Sequence, residues 1–290
     1  PAVYGILGRQ PDMVPMQIAL KGRSEPFRVE LVDHPLLTPM LAGVTLSNVL
    51  GSERLGVGFQ TLTARATLFI EGEDNVVLED VYSGVNASDG FSNLVSAALY
   101  FLMNNREKAI RVQKVDATLD LEEILHGANL DEAVLDRFEY RPGELMTLSL
   151  RFQGDRAGSV SDTIQIPVPR LDEGTEFYLM VADSEQMSRF ESKNVRSGFM
   201  PGTVGLLIRA INNLRKGNRL YVRLLTAQEG LFVQGHEYGS MPDSALNLFG
   251  YRAATNEQAE IRLSTLGEYQ YPVPVTIRGA KTFRLKIRSR

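Results

Sequence analysis

The side chains that could carry out acid–base or metal chemistry are few and scattered in this 290-residue sequence. It holds three histidines, His34, His126 and His236, and it has no cysteine, which excludes a thiol nucleophile and a thiolate metal site. The histidines do not show the i, i+4 spacing of a helical zinc site. Asp33 and His34 could form half of a catalytic triad, but a polar pair directly before a proline is more typical of a loop. We therefore predict no catalytic residue, no metal site and no cofactor, and we expect that the chain is not an enzyme.

Glycine-rich and charged stretches do not complete a binding motif either. Gly5-Ile6-Leu7-Gly8 and Gly56-Val57-Gly58 lack the full glycine spacing and the Lys-Ser/Thr pair of a phosphate-binding loop. A basic cluster late in the chain is interpreted as a solvated helix face. Its members are Arg209, Arg215, Lys216, Arg219 and Arg223. The net charge of −4 gives no electrostatic reason to expect nucleic acid as a partner, and no apolar run reaches the ~20 residues of a membrane span.

Any functional group would have to be positioned by a β-rich scaffold, and the clearest element of it is a hairpin predicted over residues 144–168. Apolar residues alternate with polar ones in both arms, and a polar, glycine-rich break over residues 154–159 separates them. The apolar positions are Met146, Leu148, Leu150 and Phe152 in the first arm and Ile164, Ile166 and Val168 in the second. A second hairpin is predicted from residues 60–70 and 76–82, around a turn at residues 72–75.

Helices and further strands follow from local patterns. Thr38 and Pro39 predict a helix start, with the helix running to residue 50. Residues 91–104 predict a helix that is apolar on nearly every side and therefore buried, and a third helix opens at residues 201–203 with an apolar stripe from Val204 to Leu214. Strands are predicted over residues 3–7, 14–20, 27–32, 110–121, 177–181 and 220–225. Residues 271–277 and 282–287 are predicted to pair with each other around residues 278–280.

These elements predict a β-dominated α+β fold. We assign an N-terminal mixed α+β domain with a buried helix to residues 1–127 and an Ig-like, Greek-key β-sandwich to residues 128–198. Residues 199–290 are assigned to one amphipathic helix and a β-rich C-terminal region, which either stands apart or packs with the sandwich as one domain.

Several short motifs, taken in order, resemble a known region of larger proteins. They are Tyr4-Gly5-Ile6-Leu7-Gly8, Met13-Val14-Pro15-Met16, His34-Pro35-Leu36-Leu37-Thr38-Pro39, Phe101-Leu102-Met103-Asn104-Asn105, Arg141-Pro142-Gly143-Glu144 and Arg219-Leu220-Tyr221-Val222-Arg223-Leu224-Leu225. Their order resembles the region that follows the peptidase domain in large exported bacterial proteins, of the acidobacterial kind, with a SpoIVB-type serine peptidase domain. The Gly-Met-Ser-Gly-Ser-Pro-like loop that holds the catalytic serine of that family is missing here. The resemblance therefore implies a non-catalytic C-terminal region, with Pro1 just past a junction with the peptidase.

Three functions stay open. The first is a non-enzymatic, extracytoplasmic (periplasmic, cell-surface or secreted) binding or assembly region, attached to or cleaved from a SpoIVB-like peptidase. The second is a self-assembling structural subunit of a cell-surface or secreted filament, built by strand addition of residues 2–7. Its expected contact residues are Val3, Tyr4, Ile6 and Leu7. The third is a hydrolase with an unrecognised site. We expect protein partners, either copies of the chain itself or an upstream peptidase domain, and neither nucleic acid nor a membrane span.

Overall fold

The computed structural model describes residues 11–52, 58–155, 158–194, 201–227, 230–233, 236–238, 258–261 and 263–288. The predicted fold class is confirmed: the protein is β-dominated α+β. The predicted strand over residues 3–7, with Val3, Tyr4, Ile6 and Leu7, lies outside the described residues. No helix in the described ranges is long and apolar enough to cross a membrane.

A five-stranded sheet carrying helices on one face forms the first half of the protein. Its elements are β1 (Met13–Leu20), β2 (Phe27–Val32), α1 (Leu37–Ser52), β3 (Gln60–Ile70), β4 (Val76–Gly84), α2 (Ala87–Met103) and β5 (Val112–Glu122). The strand order is β2-β1-β5-β3-β4, and only β1 and β5 pair in parallel. Alternation along β3 buries Leu62 and Leu68 under the helices, while Thr63 and Arg65 on the opposite face are exposed. The predicted β3–β4 hairpin is confirmed.

The second half is a sandwich of two sheets around one core. Its elements are β6 (Gly127–Leu135), β7 (Glu139–Tyr140), β8 (Leu145–Gly154), β9 (Ser159–Pro167), β10 (Glu176–Ala182), α3 (Ser184–Asn194), α4 (Val204–Asn212), β11 (Arg219–Thr226), β12 (Gly230–Val233), β13 (His236–Tyr238), β14 (Gln258–Ile261), β15 (Ser264–Pro272), β16 (Thr276–Arg278) and β17 (Ala280–Ile287). The sheets run β16-β6-β8-β9 and β15-β11-β10-β17-β7, and β12–β14 form a small third sheet. Leu148 and Ile166 from the first sheet share a core with Phe177, Val222 and Leu285 from the second. The predicted β8–β9 hairpin is confirmed.

The predicted pairing of residues 271–277 with residues 282–287 is wrong. β16 pairs in parallel with β6, whereas β17 lies between β10 and β7 in the other sheet. The chain changes sheets at Gly279, which has a φ of 119° that favours glycine. Asp183 holds this crossover, since its Oδ2 accepts the Gly279 N–H at 2.6 Å. A single glycine between β16 and β17 therefore serves here as a crossover between sheets and not as part of a hairpin loop.

Two helices also differ from the predictions. α2 is buried along only one side: Phe91 and Leu99 are fully buried, but Phe101 is 52% exposed, because α1 and the sheet cover only part of its circumference. α4 ends at Asn212, so Leu214 lies beyond the stripe and is exposed. Val204, Ile208 and the rest of that stripe pack into the core of the first half.

A partly buried carboxylate, that of Asp80, joins the two halves where α4 leads into β11. Asp80 Oδ1 accepts the N–H of Gly217 at 2.6 Å and the N–H of Val81 at 2.7 Å. Burial raises the pKa of Asp80, although hydrogen bonds from Gly217, Val81 and Tyr82 act in the opposite direction. A Cβ at residue 217 would lie 2.9 Å from the Val81 carbonyl oxygen, so only glycine fits this contact. The halves are therefore held in register by specific backbone contacts as well as by α4.

Candidate functional site

The helical layer over the first sheet is unusually poor in charge. α1 contains no charged residue at all, and α2 contains only Asp89, in its first turn. A helix on the surface of a globular protein normally presents charged and polar residues to solvent, and a helix that is apolar on all sides is normally buried. The outer face of this pair is thus unlike a permanently solvated surface.

Between α1 and α2 runs an open groove of about 650 Å³, the helix-pair groove. Its lining includes Leu36, Met40, Val44, Ala97, Tyr100 and Phe101. The floor lies where Gly43 approaches α2, since a Cβ there would come within 3.1 Å of Ser96 Cβ. Small residues let the helices pack closely, and the larger side chains then stand up on both sides of the groove.

The apolar side chains of the groove are strongly exposed. Between 46% and 56% of the surface of Leu36, Met40, Val44, Tyr100 and Phe101 is accessible. At the other end of the groove lie polar residues, among them Asp89, Asn93 and Ser47. A contiguous apolar patch with a polar border is the usual mark of a protein or membrane contact.

His34 fixes the start of the helix pair and does not form a catalytic dyad with Asp33. Its Nδ1 accepts the N–H groups of Leu36 at 3.1 Å and Leu37 at 3.3 Å, the unpaired donors that begin α1. Asn104, at the end of α2, donates from Nδ2 to the Pro35 carbonyl at 2.8 Å. One end of the groove is therefore held by hydrogen bonds as well as by packing.

Of the other two histidines, only His126 has a described side chain. His126 Nε2 lies 3.0 Å from Glu122 Oε2 in a partly exposed pair, and the His236 side chain lies outside the described residues. Over the described ranges, no group of three or more histidine, aspartate or glutamate side chains could hold a metal ion.

The interpretation of the basic cluster as a solvated helix face is wrong for two of its members. Arg215 and Arg223 have side chains only 12% and 11% exposed, and both pair with Glu191 on α3 and Glu268 on β15. The Arg215 guanidinium also stacks on Tyr221, 4.6 Å from the ring centroid. Burial acts to raise the pKa of Glu268, but the hydrogen bonds and positive charges of the two arginines lower it overall. The two positive and two negative charges balance, and their ion pairs link α3 to β11 and β15, so we interpret this Arg–Glu cluster as structural.

The helix-pair groove was not identified from the sequence, although a signal for it is present. The absence of Lys, Arg and Glu from α1 and α2 can be read directly from the residues.

Comparison of the chain with protein-family models, curated proteins and solved structures gave no significant match.

Proposed function

We propose that this chain is a non-enzymatic protein-binding region whose main contact is the helix-pair groove. The observation that carries the proposal is the exposed, nearly uncharged face of α1 and α2. Protein interfaces are depleted of charged residues at their centre and enriched in aromatic residues and methionine. Met40, Tyr100 and Phe101 match that composition and lie on both helices.

A protein surface suits this face better than a lipid surface. Helices that lie on membranes usually carry lysine and arginine on their polar face, because anionic lipids attract them. Neither α1 nor α2 contains a basic residue. The complementary face of the partner should be apolar, with at most one basic group to meet Asp89 at the polar end of the groove.

The resemblance to the region after a SpoIVB-type serine peptidase domain supports that domain as the partner. It also supports an extracytoplasmic location, as part of or after cleavage from an exported protein. In this proposal the chain holds or orients the peptidase and contributes no catalytic residue to it.

A second copy of the chain is the other candidate partner, and the shape of the face favours it. Side chains such as Met40 and Phe101 project beside a groove floored by Gly43. A face that carries both projections and a groove can pack against itself around a two-fold axis. This arrangement would make the chain a self-assembling subunit without strand addition by residues 2–7.

Substitution of one exposed valine tests the proposal. Val44→Glu places a carboxylate in the groove, and Val134→Glu is the matched control, since the two valines are 51% and 50% exposed. An unpaired charge buried in an interface costs several kcal/mol, so binding should weaken by about 100-fold or more. Light scattering on the isolated chain measures self-association, and calorimetry with the separately produced peptidase domain measures the other contact. Equal behaviour of Val44→Glu and wild type in both assays would refute a binding role for the groove.

A further inference from the structure

One end of the sandwich is open, and its core continues there as a cavity. Along β9 the residues Val160, Asp162, Ile164 and Ile166 share the inward face, opposite Phe152, Leu150 and their neighbours on β8. Ile164 and Ile166 are buried, but Val160 is 55% exposed. The space above it, the sandwich-end cavity, has a volume of about 370 Å³, within the usual range of ligand pockets. Its apolar lining includes Ile124, Ala128, Phe152, Val160, Val275 and Ile277.

Among the described residues, the outer edge of β9 has no neighbouring strand. Within the described ranges β9 pairs only with β8, and it ends the sheet β16-β6-β8-β9. Each of the five residues 159–163 is exposed to solvent. A strand at a sheet edge presents every second N–H and C=O to solvent, and an extended peptide can pair with these groups.

Two carboxylates border the cavity. Asp155 and Asp162 both line it, and in the described part of the chain neither pairs with a basic side chain. Asp162 Oδ1 accepts the N–H of Thr163 at 2.7 Å. The Asp155 carboxylate lies over Gly127, where a Cβ would come within 2.5 Å of its Oδ2. The missing side chain at residue 127 thus provides the space that this carboxylate occupies.

An inward-pointing charge on an edge strand disfavours pairing with an all-apolar strand. Asp162 would have this effect here, because it lies between Val160 and Ile164 on the inward face of β9. An incoming strand with a lysine or arginine opposite Asp162 would avoid the penalty and gain an ion pair. The carboxylate would therefore favour peptides with a basic residue over apolar peptides, and it would also disfavour aggregation through this edge.

We propose that β9 and the sandwich-end cavity bind an extended segment of a partner protein by strand addition. The segment carries a basic residue opposite Asp162 and an apolar residue opposite Val160, whose side chain enters the cavity. Successive side chains of a strand alternate between faces, so the two residues are separated by one. In the antiparallel orientation, which is slightly the more stable one, the order is basic, any residue, apolar.

The probe is the synthetic peptide acetyl-Ser-Val-Thr-Lys-Thr-Leu-Thr-Ser-amide, labelled for fluorescence anisotropy. Replacing its Lys by Glu should weaken binding at least tenfold, and replacing its Leu by Ser should weaken it by a similar factor. Asp162→Asn in the protein should reduce the Lys-over-Glu preference to less than threefold, whereas the exposed control Asp74→Asn should leave it unchanged. Val160→Ser should weaken binding at least fivefold, and Val134→Ser, at a similarly exposed valine, should not.

Backbone pairing has its own test. Two further peptides carry N-methyl groups on one or the other alternate set of residues, and only the set that faces β9 should lose binding. The proposal is overturned by three results: no binding of the Lys peptide at millimolar concentration, equal binding of the Lys and Glu peptides, or indifference to both methylated sets. Val44→Glu should leave peptide binding intact, which separates this site from the helix-pair groove.

Discussion

Removing the carboxylate of Asp80 should loosen the contact between the two halves of the protein. Asp80→Ala leaves the N–H of Gly217 without its acceptor in a partly buried place. It also removes the bonds from Val81 and Tyr82 to the same carboxylate. An unsatisfied buried donor costs about 1–3 kcal/mol. We therefore expect the free energy of unfolding to fall by about 2–4 kcal/mol.

Asp80→Asn separates the hydrogen bonds from the charge. The amide oxygen can still accept the Gly217 N–H, so this variant should stay within about 1 kcal/mol of wild type at pH 7. Burial raises the pKa of Asp80 above its ordinary value of 3.8. The folded state therefore favours the neutral carboxyl group more than the unfolded state does. This contribution to the free energy of unfolding is complete below pH 3.8 and is lost as pH rises through the folded-state pKa. The stability of Asp80→Asn relative to wild type should increase over that rise.

Urea unfolding at several pH values measures these differences, and hydrogen exchange at Gly217 reports the contact directly. Asp74→Ala, at an exposed aspartate in the β3–β4 turn, is the control and should change stability by less than about 0.5 kcal/mol. A free energy of unfolding of Asp80→Ala within about 0.5 kcal/mol of the wild-type value, or unchanged exchange at Gly217, would refute this role of Asp80. Lower stability of Asp80→Asn than of Asp80→Ala would also refute it.

Three other perturbations test the remaining parts of the structure. Glu268→Gln should lower the free energy of unfolding by about 3 kcal/mol at pH 7, because it leaves Arg215 partly uncompensated. The pKa of Glu268 is lowered, so the stability difference between Glu268→Gln and wild type should shrink as pH falls below the ordinary value of 4.5. A stability difference in urea unfolding that does not change with pH would contradict the stabilising role of the Arg–Glu cluster. Phe91→Ala should lower the free energy of unfolding by about 3–5 kcal/mol and Phe101→Ala by less than about 1 kcal/mol, since only Phe91 is fully buried. Equal losses of thermal stability would contradict the assignment of Phe91 to the buried side of α2 and Phe101 to the exposed side. His34→Ala should cost about 1 kcal/mol by removing the acceptor at the start of α1, and no loss of helix stability by circular dichroism would exclude that capping role.

Local patterns were sufficient for the elements that are stabilised by neighbouring residues. The β3–β4 and β8–β9 hairpins could be predicted because alternation and a polar turn lie within one continuous stretch. The short polar helix α3 could not, because Met187 alone among its described side chains is fully buried, and the helix has no continuous apolar stripe. The crossover at Gly279 could not be predicted either, since a glycine between two strands also suits a hairpin turn.

The sequence by itself determined the fold class and the near absence of charge from α1 and α2, because both follow from which residue types recur at which spacing. Tertiary structure alone decided that Arg215 meets Glu268 across 53 positions and that α4 packs on the first half. It also decided that Val160 borders a cavity while Ile164, four residues later on the same face, is buried. Spacing tells which face of an element is apolar, but only the arrangement of the other elements determines whether that face is covered.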